Sequence, residues 1–252
     1  EQAAADGILV DVGFWGGVVP ASLADSSLAQ LLRDPRVLGV KAFLSPLPLA
    51  AGYTALSVSE LREASRQLGS ASLPLLVHCE LMDVDEMSAL DASAESRNAS
   101  RSFATFLQTR PRRFESDAIR ALIALVDEIP SLRAHVVHLS DAESLPMLAS
   151  AKGRSAGRLT VETCPHYLSY AAEEVPDGET RLKCVPPIRA AANREALWAA
   201  LGNGTIDLIA SDHSPCPSEM RARGSGDYLK AWAGISGLQF SLPVTWTEAS
   251  AR

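Results

Sequence analysis

Short apolar runs alternate along this chain with stretches in which leucine, isoleucine and valine recur at helical spacing. That alternation predicts strand–helix units around a parallel sheet. Strands are expected over residues 8–12, 37–44, 74–79, 134–139, 159–163 and 206–211. Between them, Leu23, Leu28, Leu31 and Leu32 mark one amphipathic face that stops before Asp34-Pro35. Val58, Leu61, Ala64 and Leu68 mark a second, opened by Ser57 with Glu60 three residues on, the pattern of a reciprocal cap. Ile119, Leu122, Ile123 and Val126 define a helix over 116–129, and shorter patterns over 141–149 and 193–201 supply two more. With no internal repeat or linker, residues 1–252 read as one α/β domain. Its six βα units are two short of a closed eight-stranded barrel, so the expectation is a partial (β/α) barrel, a fragment.

Four polar residues interrupt this pattern in a way that points to chemistry. Lys41 lies inside the apolar run Val37-Leu38-Gly39-Val40-Lys41-Ala42-Phe43-Leu44. An ammonium there lacks water, which lowers its pKa and frees the amine; the plainer alternative is a lysine that snorkels past the strand end. His78 follows Leu75-Leu76-Val77, His138 follows two valines, and Asp212 ends the run Ile206-Asp207-Leu208-Ile209-Ala210-Ser211. Each has an ordinary reading of its own, a hydrogen-bonded histidine or a turn aspartate. Strand-end residues of a parallel barrel converge at one face, however, and together these four are the donor set of a metal hydrolase. A carbamate formed on Lys41 would present two oxygens, enough to bridge two divalent ions roughly 3.5–4 Å apart. Imidazole, carboxylate and carbamate together suit zinc. His135, an odd number of residues from His138, is expected on the opposite strand face, against a helix.

Composition narrows the function classes. Hydrophobic residues make up 47% and charged residues 21%, enough for a substantial core, and the net charge of −7 offers no footprint for nucleic acid or anionic membrane. No apolar run is long enough to span a bilayer. Cys79, Cys164, Cys184 and Cys216 form no C-x-x-C pair and read as reduced thiols, giving a cytoplasmic expectation.

Longer strings carry a resemblance. Val10-Asp11-Val12-Gly13-Phe14-Trp15-Gly16-Gly17, Gly39-Val40-Lys41-Ala42-Phe43, Val77-His78-Cys79-Glu80 and Val137-His138-Leu139-Ser140 resemble the cyclic amidohydrolases, allantoinases in particular. So do Glu162-Thr163-Cys164-Pro165-His166-Tyr167-Leu168, Lys183-Cys184-Val185-Pro186-Pro187-Ile188-Arg189, Ala210-Ser211-Asp212-His213-Ser214-Pro215-Cys216 and Lys230-Ala231-Trp232-Ala233-Gly234-Ile235. The resemblance implies a metal-dependent barrel that opens the hydantoin ring of allantoin to allantoate, and by analogy a tetramer. It implies that Lys41 is the carboxylated bridge, that His78 and His138 bind one metal, and that Asp212 binds the other and acts as base. Cys184 and Val185 would meet the substrate ring through backbone groups, with His213 and Ser214 lining the same pocket. Pro46 stands where similar dihydropyrimidinases carry a tyrosine, five residues after the lysine, which favours the allantoinase branch.

Two departures keep alternatives open. The family's first metal also takes a His-x-His pair, and His78, His135, His138, His166 and His213 include none. The family's small β-sandwich is missing as well. This chain alone is therefore expected to be inactive; the alternatives are a dihydropyrimidinase or hydantoinase-type hydrolase, or a noncatalytic paralogue that works by assembly.

Overall fold

The structure, a computed structural model, describes residues 7, 11–25, 27–46, 53–96, 99–221 and 225–252. Strand β1 (Phe14–Gly17) is followed by helices α1 (Pro20–Ala24) and α2 (Ser27–Leu31), β2 (Val37–Phe43), α3 (Val58–Ala71) and β3 (Pro74–His78). Three helices, α4 (Val84–Ser96), α5 (Phe103–Gln108) and α6 (Arg112–Glu128), lead to β4 (Arg133–Val136), and α7 (Leu145–Ser155) leads to β5 (Leu159–Thr163). Helices α8 (Pro165–Ser169) and α9 (Ala191–Gly202) precede β6 (Leu208–Ile209), and α10 (Ser241–Ser250) closes the order. The strands form one parallel sheet in sequence order, β1 to β6, as in a barrel wall. Among the described residues, no helix is long and apolar enough to cross a membrane.

Period-two alternation assigns the two sheet faces. Val40, Ala42, Leu75, Val77, Ala134, Val136, Leu159 and Val161 are buried in one core with Leu61, Leu68, Ile119, Leu122 and Leu148 from the helices. The intervening residues line a cavity. Lys41 pairs with Leu76, Leu76 with His135 and His135 with Thr160, one continuous row across four strands. The reciprocal cap of α3 forms as its sequence predicts: Glu60 N donates to Ser57 Oγ at 3.2 Å and Ser57 N to Glu60 Oε2 at 2.7 Å.

Several boundaries differ from expectation for identifiable reasons. Of the first expected strand, residues 8–10 lie outside the described set and 11–12 are not strand; β1 instead runs through Gly16 and Gly17. A Cβ at those positions would come within 2.3 Å of Leu31 Cδ2 and 2.5 Å of Tyr53 Cε1, so close packing selects glycine where propensity argues against a strand. The helix expected through Leu23–Leu32 is divided, because Asp25 Oδ1 accepts from Ser27 N at 2.9 Å and opens α2 afresh. Strand β6 keeps only two residues: Asp207 replaces part of the ladder, its Oδ2 accepting from Val161 N at 2.8 Å. Helices α4, α5, α8 and α10 were not expected. α4 and α10 present no fully apolar stripe, and α5 and α8 are too short to show one.

Candidate active site at the strand ends

Lys41 sits on the cavity face of β2, half-buried, with Nζ 5.1 Å from the centre of the Phe43 ring. Burial pulls its pKa below the ordinary lysine value, and the carboxylates of Asp212 and Glu162 pull it partly back. The Phe43 ring also lies 5.3 Å from that of His78.

His78 is the last residue of β3 and 4% exposed. Its Nε2 meets Glu80 Oε2 at 3.0 Å, and Glu80 is itself buried. A carboxylate there holds the ring proton on Nε2 and leaves the Nδ1 lone pair free. That Nδ1 faces His138 Nε2 at 2.9 Å, with the rings 4.6 Å apart and edge to face.

His138 reaches this position by breaking the strand. β4 ends at Val136, earlier than the expected 139, and His138 adopts φ 40°, a left-handed conformation that side chains rarely take. Val137 lines the cavity in strand alternation, and the turn that follows brings the next side chain beside His78. Burial, with His78 and Lys41 adding to it, holds the His138 pKa well below the usual imidazole range.

His135 corrects an expectation. It does not pack against a helix; it faces the cavity, with Nδ1 at 2.7 Å from Thr160 Oγ1 and Nε2 at 2.9 Å from Glu162 Oε2. Period-two alternation holds within the strand and breaks at its end, where the left-handed residue resets it.

Asp212 follows β6, also left-handed at φ 41°. Backbone outliers of this kind concentrate at functional sites, where the surroundings over-determine them. Burial raises the Asp212 pKa, against the opposing pull of Lys41 and His78. Two cavities meet at Asp212 and Phe43. One, of 630 Å³, is lined by His78, His138, Cys184, Val185 and Ser214; the other, of 790 Å³, by Lys41, His135, Glu162 and His213. Ser214 and His213 thus flank Asp212 on different cavities rather than sharing one. His213 is exposed, and its Nδ1 accepts from Leu238 N at 3.2 Å. Cys184 is buried, and burial pushes its thiol up to about 12, so it offers the cavity backbone and surface rather than a nucleophile.

Among the described residues, no group of three or more His, Cys, Asp or Glu side chains is arranged to hold a metal ion. The donor geometry nevertheless fits one. Two nitrogens bound to a tetrahedral zinc stand ~3.3 Å apart, a few tenths of an ångström wider than the facing His78 and His138 nitrogens. Glu80 supplies the carboxylate behind a ligating imidazole that such sites use. Lys41 is the third group, its amine within electrostatic reach of His138 and Asp212. Glu80 and Glu162 are site residues that the motifs contain without marking a role; the sequence signal for them is their spacing, two residues from His78 and from Thr160.

A parallel α/β sheet with polar residues gathered at its strand ends is also the architecture of solved hydantoinases. The L-hydantoinase (dihydropyrimidinase) of Arthrobacter aurescens superposes with a TM-score of 0.83 at 26% identity, covering 97% of this chain and 52% of that one. The dihydropyrimidinase of Brevibacillus agri does so at 0.81 and 26%, covering 94% and 50%. No protein-family model matches the chain. The chain belongs to the cyclic amidohydrolases, a class of hydrolases. Within that class, its sequence relatives are allantoinases: 45% identity to that of Arabidopsis thaliana over 98% of this chain and 49% of the relative, and 44% to that of Streptomyces avermitilis over 100% and 53%. The chain spans about half the length of the curated relatives it matches.

Proposed function

We propose that this chain carries the strand-end half of an allantoinase-type active site, hydrolysing the hydantoin ring of allantoin to allantoate. The facing His78 Nδ1 and His138 Nε2, 2.9 Å apart on a cavity shared with Asp212, carry the reading. His78 and His138 would hold one divalent ion, most simply zinc, and Lys41 and Asp212 would contribute to a second. When bound, such ions polarise the ring carbonyl and supply a nucleophile at neutral pH.

The chain's own residues do the rest. Burial favours the neutral Lys41 amine. Its lone pair adds to the carbon of carbon dioxide and Nζ passes a proton to water, leaving an anionic carbamate with two oxygens in place of the neutral amine. Asp212, with its pKa raised by burial, accepts a proton as the amide carbon is attacked and returns it to the ring nitrogen that leaves. Cys184 and Val185 present backbone to the ring from one wall of the cavity, and Ser214 faces them beside Asp212. Residues 1–252 would be six of the eight βα units of a barrel. They complete the donors of one ion with His78, His138 and Lys41, and only part of another's with Lys41 and Asp212, so the isolated chain is expected to be inactive.

The test is metal content and allantoin turnover of the protein that carries this chain. Lys41→Ala should lose both, with partial recovery of turnover when a small carboxylic acid is added to fill the vacated space. Lys41→Arg should recover nothing, because guanidinium stays charged and cannot be carboxylated. A metal-replete, active Lys41→Arg protein would overturn the carbamate reading.

A further inference from the structure

The segments that follow the two imidazoles are held by a single helical turn. Phe114 O, in the first turn of α6, accepts from Leu81 N at 2.7 Å and fixes the chain just after His78-Cys79-Glu80. The next residue, Glu115, is 2% exposed, and its Oε1 accepts from both Ser140 N at 2.7 Å and Asp141 N at 2.9 Å. On the other side, Glu162 Oε1 accepts from His138 N at 3.4 Å, and Glu162 O accepts from Leu139 N at 2.8 Å. The left-handed backbone of His138 therefore runs between two carboxylates, one before the turn and one after it.

The remaining groups of Ser140 complete the bracket: Oγ donates to Pro187 O at 2.6 Å, and O accepts from Asn193 Nδ2 at 2.8 Å. Across from Glu115, Arg189 Nη2 stands 3.9 Å from Oε2, while Arg189 Nη1 donates to Arg110 O at 2.8 Å. A carboxylate buried this deeply opposes folding unless it satisfies donors that nothing else can reach. Here those donors are Ser140 N and Asp141 N, two and three residues beyond the left-handed His138.

We propose that Glu115 is a positioning residue for the site. By accepting from Ser140 N and Asp141 N, it fixes the turn in which His138 aims Nε2 at His78 Nδ1. The inference rests on the ion-binding reading of that pair only for its second readout. Glu115→Gln keeps an oxygen where Oε1 stands; Glu115→Met removes it, and Glu115→Asp withdraws it by one methylene while keeping a carboxyl group. Histidine-ring ¹H–¹⁵N spectra of the chain, with His138 assigned through His138→Gln, report the ring directly, and titration with zinc reports its consequence. Glu115→Gln should preserve both. Glu115→Met and Glu115→Asp should move the His138 ring signals and weaken zinc binding about tenfold or more.

Leu122→Ala, on the same helix and buried, should leave the His138 signals in place despite its loss of stability. Unmoved His138 signals in Glu115→Asp, or signals moved equally by Leu122→Ala, would overturn the proposal. Glu115→Asp decides alone should Glu115→Met not fold. A wild-type chain that binds no zinc would end the ion-binding reading of His78 and His138, while the ring signals would still decide Glu115.

Discussion

β3 and β4 deliver their imidazoles from the middle of the core, whereas Asp212 arrives on a segment held at the surface. The strand residues beneath His78 and His138, from Leu75 and Val77 to Ala134 and Val136, are at most 2% exposed, and the helices above them add Leu122, Ile119 and Leu68. On the Asp212 side, β6 has two residues, Leu208 is 45% exposed, and α10 buries none of its side chains. Backbone contacts replace packing there. Ser214 N donates to Ile235 O at 3.0 Å and Gly234 N to Lys183 O at 2.8 Å, and the buried Arg221 guanidinium ties Gly234 O to Ser214 O and Ser236 Oγ. The strands that carry the imidazole pair are thus held by apolar burial, which many residues share. Asp212 is specified by a few hydrogen bonds, each of which matters locally and little for the whole.

That contrast can be broken most directly by cavity formation. Leu122→Ala, at a fully buried position, should cost about 3 kcal/mol in urea unfolding. A loss below about 1 kcal/mol would show that the imidazole side is not the stable half.

Acid should act on the same side, with a somewhat smaller effect. Burial takes the His166 pKa from 6.5 down to about 3, so the fold keeps this ring neutral. A depressed folded-state pKa gives stability that is complete above the unfolded value and is lost as pH falls toward the folded one. Between pH 7.5 and 5 the loss from His166 should be about 2 kcal/mol. It is measured as the difference in pH dependence between the wild type and His166→Gln. An identical pH dependence for the two would remove His166 as a source of acid sensitivity.

The surface segment should respond least. Leu242 is 76% exposed on α10, and Leu242→Ser should change the unfolding free energy of the 252-residue chain by no more than about 0.5 kcal/mol. A larger loss would mean that α10 is covered in solution and that the two regions are more alike than their burial indicates.

Strand order, the parallel sheet, the capped helix α3 and the candidate polar residues were legible from the chain because they depend on local periodicity and on polar groups placed among apolar ones. Lys41 stood out for that reason, as did His78 at the end of its strand. What the sequence could not carry was whatever depended on residues distant along the chain. Gly16 and Gly17 belong to a strand only because Leu31 and Tyr53 press against them. His135 faces one cavity from within β4, and His138 reaches the adjoining one from the turn beyond, because a left-handed residue bracketed by Glu115 and Glu162 ends the period-two rule. A periodicity argument counts residues between neighbours on one element; the turn at His138 is fixed by carboxylates 23 and 24 residues away on α6 and β5. Only tertiary packing brings them there.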